Sequence, residues 1–157
     1  MSTLQAKNEA IIDAPVRRVW AIITDINLLH KVNPNVVKAL GRMDRLGETR
    51  TCEIDSKGRK GKMTGTLIEF VPEQKTVWTI QSDTMGMSKM LKNTRFCFYL
   101  EPLGDNKTKI TNETYYQPVN FIAMLMDVLM MKKMIGKAQE QILLNLKLLA
   151  ENKHNGI

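Results

Sequence analysis

The sequence predicts an α+β fold in which an antiparallel, curved sheet of about seven strands wraps around one long C-terminal helix. Three features carry this. Residues 121 to about 152 read as one helix, apolar on every side over 120–131 except for Asp127 and amphipathic over 137–150. Between residues 36 and 117, strand-like runs alternate with gaps too short for a crossover, so neighbouring strands must be antiparallel. A helix apolar all round must also be covered all round, and a sheet that wraps it leaves a gap able to serve as a pocket.

The first strand candidate is 8–13 (Asn-Glu-Ala-Ile-Ile-Asp). Ala14-Pro15 starts a helix, because the fixed φ of proline suits the first helical position and needs no amide partner there. Val16, Val19, Trp20 and Ile23 recur at helical spacing as its buried face. Thr24-Asp25 breaks it, Asp25 can cap a second short helix over 26–31, and Asn33-Pro34 must stop that one.

Six strand candidates follow, 36–42, 48–56, 62–71, 76–82, 91–101 and 108–117, rich in β-branched and aromatic residues. Turn chemistry fills the gaps: Gly47, the basic run Lys57-Gly58-Arg59-Lys60-Gly61, Pro72-Glu73-Gln74, residues 84–89 and Gly104-Asp105-Asn106. Alternation puts Phe96, Phe98 and Leu100 on one face of their strand, and Trp78 with Ile80 on one face of theirs. In the last strand Ile110 carries Thr108, Asn112, Thr114 and Tyr116 with it. The concave face is then apolar with a polar seam from Asn112 to Tyr116. Strand 62–71 has apolar residues on both faces, and its facing is not assigned. The final helix would be roughly 48 Å long at ~1.5 Å per residue, against about 33 Å for a ten-residue strand. It must therefore overhang the sheet or bend, with Gly136 the expected place for a bend.

The 157 residues read as one domain, 1–157, and an apolar fraction of 43% with 25% charged residues is that of a soluble globular protein. The apolar run 118–131 is shorter than the ~18 residues a crossing helix needs. Residues 1–10 lack the apolar core of a signal peptide, which predicts a cytoplasmic protein. Cys52 and Cys97 lie mid-strand on non-neighbouring strands and read as free packing thiols. The net charge of +7 favours anionic surfaces but is also ordinary for a soluble domain.

Catalytic signals are sparse. Of the two histidines, His30 reads as a surface residue of the short second helix and His154 lies in a polar tail. No metal-ligand spacing, Gly-x-Ser-x-Gly, P-loop or dinucleotide fingerprint occurs, so neither a metal nor a cofactor is expected, and no catalytic residue is assigned.

Several stretches point to one family. Ile11-Ile12-Asp13-Ala14-Pro15-Val16-Arg17-Arg18-Val19-Trp20 opens with an apolar strand, alanine-proline and a helix carrying valine-tryptophan. Asp25-Ile26-Asn27 leads to Asn33-Pro34; Leu100-Glu101-Pro102-Leu103-Gly104-Asp105 is followed by Thr108-Lys109-Ile110; and Asn145-Leu146-Lys147 ends in Ala150-Glu151. Together they resemble the polyketide cyclase/dehydrase and lipid-transport branch of the START and birch-pollen-allergen-like superfamily (SRPBCC), over nearly the whole chain. The resemblance implies the helix-grip fold. It also implies one of the family's roles: carrier, cyclase or dehydratase.

On this fold the expected occupant is a hydrophobic small molecule held between sheet and C-terminal helix. Its pocket is expected to be lined by Trp78, Phe96, Phe98, Ile110, Tyr116, Phe121 and Leu125, with Asn112 and Tyr116 orienting a polar group. A cofactor-free cyclase or dehydratase would instead use Arg50, Glu69, Asn112 and Tyr116 for proton transfer and enolate stabilisation. A third alternative is an interaction module. The 11 methionines crowd into Met85, Met87 and Met90, then Met124, Met126, Met130, Met131 and Met134. Adjacent helical positions lie about 100° apart, so those of the helix cannot all face the sheet. A homodimer or a transient membrane-surface contact would cover the remainder. The basic tip at 57–62 could meet headgroups or RNA, but it has no interleaved aromatics to stack bases, which argues against nucleic acid.

Overall fold

The computed structural model describes residues 2–152, so His154 lies outside the described residues. Seven antiparallel strands form one sheet: β1 (Thr3–Ile12), β2 (Val36–Gly41), β3 (Thr49–Ser56), β4 (Arg59–Val71), β5 (Lys75–Asp83), β6 (Leu91–Pro102) and β7 (Thr108–Pro118). Their order is β1-β7-β6-β5-β4-β3-β2. The meander runs from β2 to β7, and β1 adds itself beside β7, where Asn8 faces Asn112 and Ala10 faces Ile110. The chain must therefore travel from one sheet edge to the other between β1 and β2. Helix α1 (Val16–Ile23), a 3-10 turn (Ile26–Leu28) and helix α2 (Leu29–Val32) make that crossing.

Local chemistry accounts for these boundaries. Pro15 is the residue before the first helical one, with φ −65° and ψ 148°, and its carbonyl accepts from the Arg18 and Val19 amides at 2.9 and 3.3 Å. Asp25 caps the 3-10 turn by accepting from the Asn27 amide at 2.9 Å. Strand β4 explains its own two-sided pattern. Leu67 pairs with Trp78 and Glu69 with Val77, leaving Ile68 as an extra residue in the ladder. This irregularity reverses the parity of the strand. Met63, Gly65 and Leu67 face inward before it and Phe70 faces inward after it, packed on Trp20 with ring centroids 5.2 Å apart.

A single-turn helix α3 (Met87–Met90) joins β5 to β6, and the C-terminal helix has three parts: α4 (Phe121–Met126), a π-helical turn (Asp127–Met131) and α5 (Lys132–Glu151). Asn120 caps α4 by accepting from the Ala123 amide at 2.9 Å. The helix is irregular at Asp127–Met131, not at Gly136, which sits inside the regular run of α5. Asp127 is buried and accepts a hydrogen bond from the buried Tyr116 hydroxyl of β7. A π turn holds one more residue than an α turn, so the helix can widen where this buried side chain is held.

The core lies toward the far end of α5. Ile12, Val19, Ile22, Ile110, Leu143 and Leu146 form one buried cluster that joins β1, β7, α1 and α5. Along α5, Leu143, Leu146 and Ala150 face inward while Leu144 and Leu148 face out. Leu146 is 0% exposed and Leu148 is 60% exposed. Leu146→Ala should therefore lower unfolding stability by about 2–5 kcal/mol in urea denaturation. Leu148→Ala, on the same helix with nearly the same intrinsic propensity, should change it by no more than ~0.5 kcal/mol.

Candidate functional site

Between the concave face of the sheet and α5 lies a cavity of about 270 Å³. Its aromatic wall comes from β5 and β6, where Trp78 pairs with Phe96 and Thr76 with Phe98. Met43, Cys52, Ile54 and Met63 supply the wall on the β3–β4 side, and Ile22, Ile23, Leu29 and Val32 close it from the crossing helices. Ile135, Ala138 and Ile142 of α5 form the roof. Met134 lines the cavity while being 55% exposed, which places the opening beside the start of α5.

Asn33, Asn35, Ser56 and Thr79 add polar groups to the lining, and two further polar features interrupt it. The first is a seam on β7, where Asn112 and Thr114 meet Gln139 of α5. The Gln139 side-chain amide donates to Thr114 Oγ1 at 2.9 Å, Asn112 Oδ1 at 3.3 Å and the Ala6 carbonyl at 3.4 Å, while its oxygen accepts from Asn8 Nδ2 at 2.9 Å. Asn8 also donates to the Gly136 carbonyl at 3.2 Å. The buried amide is thus satisfied on both of its polar atoms.

The second is Arg50 on β3. Its guanidinium carbon lies 4.0 Å from the centroid of the Trp78 ring on β5, and Nη1 donates weakly to Met43 Sδ at 3.5 Å. Arg50 reaches Trp78 across an intervening strand because its cross-strand partner on β4 is Gly65. A Cβ at Gly65 would sit 3.1 Å from the Thr79 carbonyl oxygen and 3.6 Å from the Trp78 ring, in the path of the guanidinium. Burial away from water lowers the pKa of Arg50, and burial raises that of the Cys52 thiol, with Arg50 opposing the rise.

Of the residues expected in the pocket, Trp78, Phe96, Phe98 and Asn112 line this cavity together. Ile110 is fully buried in the closed core with Ile12 and Leu146, outside the cavity. Tyr116 is fully buried beyond the other end of the seam and committed to Asp127, and both burial and that hydrogen bond raise the pKa of its hydroxyl. Phe121 and Leu125 do not line it: they are 71% and 51% exposed on α4, which overhangs the sheet with only Ala123 buried. Among the enzyme candidates, Arg50 and Asn112 reach the cavity, whereas Glu69 turns outward to an ion pair with Lys75. Cys52 and Cys97 are both buried free thiols, and His30 is exposed.

Gln139 went unnoticed at the sequence level, although a signal was present. Ile135, Gln139, Ile142 and Leu146 fall at the i, i+4, i+7, i+11 spacing of one helical stripe, and an amide in an apolar stripe needs buried partners.

The family model for polyketide cyclase / dehydrase and lipid transport matches residues 3–151. The chain belongs to this family. No curated protein matches the chain. Solved structures of the same shape include a START superfamily protein from Mycobacterium smegmatis, 15% identical, with 93% of this chain and 96% of that one covered at a TM-score of 0.71. The Zhui aromatase/cyclase from Streptomyces sp. R1128 is 9% identical, with 100% of both chains covered and a TM-score of 0.70. Ginseng major latex-like protein 151 from Panax ginseng is 10% identical, with 96% and 99% covered and a TM-score of 0.71. At these identities the likeness is one of fold, and it establishes the helix-grip architecture. The family's description covers polyketide cyclases, dehydrases and lipid transport.

The seam gives a test of what holds the helix over the cavity. Gln139→Leu keeps an apolar side chain of similar size but strands Asn8, Asn112 and Thr114. It should lower stability by about 1–3 kcal/mol in urea denaturation, despite being the more apolar choice.

Proposed function

We propose that this protein binds a hydrophobic small molecule, a lipid, polyketide or similar compound, in the cavity between sheet and α5, and releases it chemically unchanged. The cavity lining carries this reading. It is apolar apart from the seam, Arg50 and a few small polar groups, and among the described residues no carboxylate, histidine or tyrosine lines it. A cyclase or dehydratase must move protons, and a general base has to stand within hydrogen-bond reach of the reacting atom. Neither Glu69 nor Tyr116 is placed to do so, which favours the carrier over the cyclase. The volume sits just below the ~300–1,000 Å³ usual for small-molecule sites. Methionines 43, 63, 85, 87 and 134 line it, and their unbranched, polarizable side chains adapt to ligands of varied outline.

Native mass spectrometry of protein purified from its own host should show a bound apolar compound, and the neutral dye N-phenyl-1-naphthylamine should fluoresce in the emptied protein. Substituting Phe98→Trp, which fills the cavity, should reduce dye binding about tenfold or more while the fold is retained. Dye binding that ignores this substitution would remove the cavity as the site.

A second observation bears on how the ligand is exchanged. Phe121, Ile122, Leu125, Val128, Leu129 and Met130 are all exposed on α4 and the π turn. Met134, at the cavity opening, continues the same surface. From Val119 to Gln139 the one acidic residue, Asp127, is buried, while Lys132, Lys133 and Lys137 are exposed. Among the described residues no helix is long and apolar enough to cross a membrane. An apolar helix face rimmed by lysines suits lying on an anionic lipid surface. Vesicles containing phosphatidylserine should therefore retain the protein, with retention falling as salt rises. Met126→Gln with Met130→Gln should weaken it several-fold, since each change removes buried apolar area. A protein that ignores vesicles and sediments as a dimer would assign this face to a second copy of the chain.

A further inference from the structure

Among the described residues Arg50 is the one charged side chain lining the cavity, and it forms no ion pair with any of them. Its guanidinium stacks on Trp78 at 4.0 Å, and its one hydrogen bond of the described residues goes to the sulfur of Met43. Carboxylates on neighbouring segments are engaged elsewhere: Asp44 and Glu48 by Arg42, and Glu69 by Lys75. A thioether is a weak acceptor, and an aromatic face offers attraction without taking up the N–H donors. Guanidinium groups withdrawn from water are ordinarily paired with an oxyanion, often through two parallel hydrogen bonds. The approach to Arg50 is also built. Gly65 leaves open the lane between β3 and β5, so that the guanidinium reaches over the indole. A planar fork held in one orientation loses less freedom on binding than a mobile one.

We propose that Arg50 is the head-group site of this cavity, and that the ligand is an amphiphile whose carboxylate or phosphate docks on the guanidinium while its apolar body lies along Phe96, Phe98 and Ile142. This rests on the reading of the cavity as a ligand site and names the chemical class of its occupant. The volume of about 270 Å³ corresponds to roughly nine waters at ~30 Å³ each, room for a single-chain or fused-ring body. Trp78 has a positioning role: it holds the guanidinium from behind and leaves its N–H edges for the ligand. The seam at Asn112, Thr114 and Gln139 lies three strands of the sheet beyond β4, where the Gln139 amide donates to Asn112 Oδ1 and Thr114 Oγ1. The polar groups of the seam are neutral, which leaves Arg50 as the charged donor of the described cavity lining.

The test uses bound N-phenyl-1-naphthylamine as a neutral reporter and displaces it with dodecanoate, dodecyl phosphate or dodecanol at pH 7.5. At least one of the two oxyanions should displace the dye at about 10- to 100-fold lower concentration than the alcohol. In Arg50→Met, which keeps the apolar stem on Trp78, the ratio of oxyanion to dodecanol displacement measured within that variant should fall to one or invert. Arg50→Lys should keep part of the advantage, since it retains charge without the fork. As pH falls below ~5, where a fatty acid takes up its proton, dodecanoate should lose its advantage while dodecanol does not change. An alcohol that competes as well as either oxyanion in the wild type overturns the head-group site while leaving the cavity reading intact. So does an oxyanion preference that survives Arg50→Met. If the dye does not bind, or no compound displaces it, the cavity reading falls and takes this one with it.

Discussion

The position of the C-terminal helix depends on a buried amide. Apolar packing is non-directional and by itself would let α5 slide along the groove of the sheet. Gln139 does not allow that, because a buried amide must keep its partners, and those partners are fixed on β1 and β7. With Gln139 held, the positions four, seven and eleven residues further on, Leu143, Leu146 and Ala150, fall on Ile12, Ile110 and α1 and close that end of the groove. The preceding turns fall elsewhere. Ile135 and Ala138 are carried over open space, and this space is the cavity.

The same constraint explains the asymmetry of the site. Helix α5 leans on β1, α1 and α2, and among the sheet strands it otherwise meets only β7 to any extent. The curve of the sheet then carries β3, β4 and β5 away from the helix, and their inward side chains face the gap and one another. Arg50 pairs with Gly65 on β4, and the missing side chain there lets its guanidinium reach Trp78 on β5, so a charged group sits on the sheet side of the gap. At the other end, Tyr116 fastens Asp127 to the tip of β7 and anchors the π turn. Beyond that fastening the sheet has ended, so α4 has little to pack against.

The sequence revealed the fold almost completely because strand alternation and turn residues are local signals. The polar seam was readable for the same reason, as Thr108, Ile110, Asn112, Thr114 and Tyr116 keep strict parity along β7 and all are buried. What was not readable came from geometry between elements. Strand β4 resisted assignment because one extra residue at Ile68 reverses its parity, and no residue type announces such an irregularity. Phe121 and Leu125 were placed in the pocket on the general expectation that large apolar side chains are covered. Their exposure follows from where β7 ends relative to the helix, a length relation that burial preferences do not encode. Ile110 and Tyr116 face the concave side as alternation requires, yet facing inward is not the same as facing the cavity. The apolar core takes one and Asp127 takes the other. Glycine at 136 suggested a bend, but the helix is irregular where a buried carboxylate is fastened, nine residues earlier, and a glycine in a supported helix can remain regular.

Three features of this molecule run against stability, and they lie together. The cavity forgoes packing contacts that a filled core would make. The half-buried guanidinium of Arg50 has no anion among the described residues. The apolar face of α4 stays in water although the rest of the chain buries such groups. A sequence under selection for stability alone would fill the cavity with larger side chains, place an apolar residue at Arg50 and put polar ones along the exposed face of α4 and the π turn. The cavity opening at Met134 adjoins the exposed face, and Arg50 looks into the cavity, so the three form a continuous path from surface to interior. A ligand with an apolar body and a charged head would relieve the first two at once on entering, and a lipid surface would relieve the third during its exchange. The destabilising features thus match the steps of one binding cycle, which is the physical reason for reading them together as function.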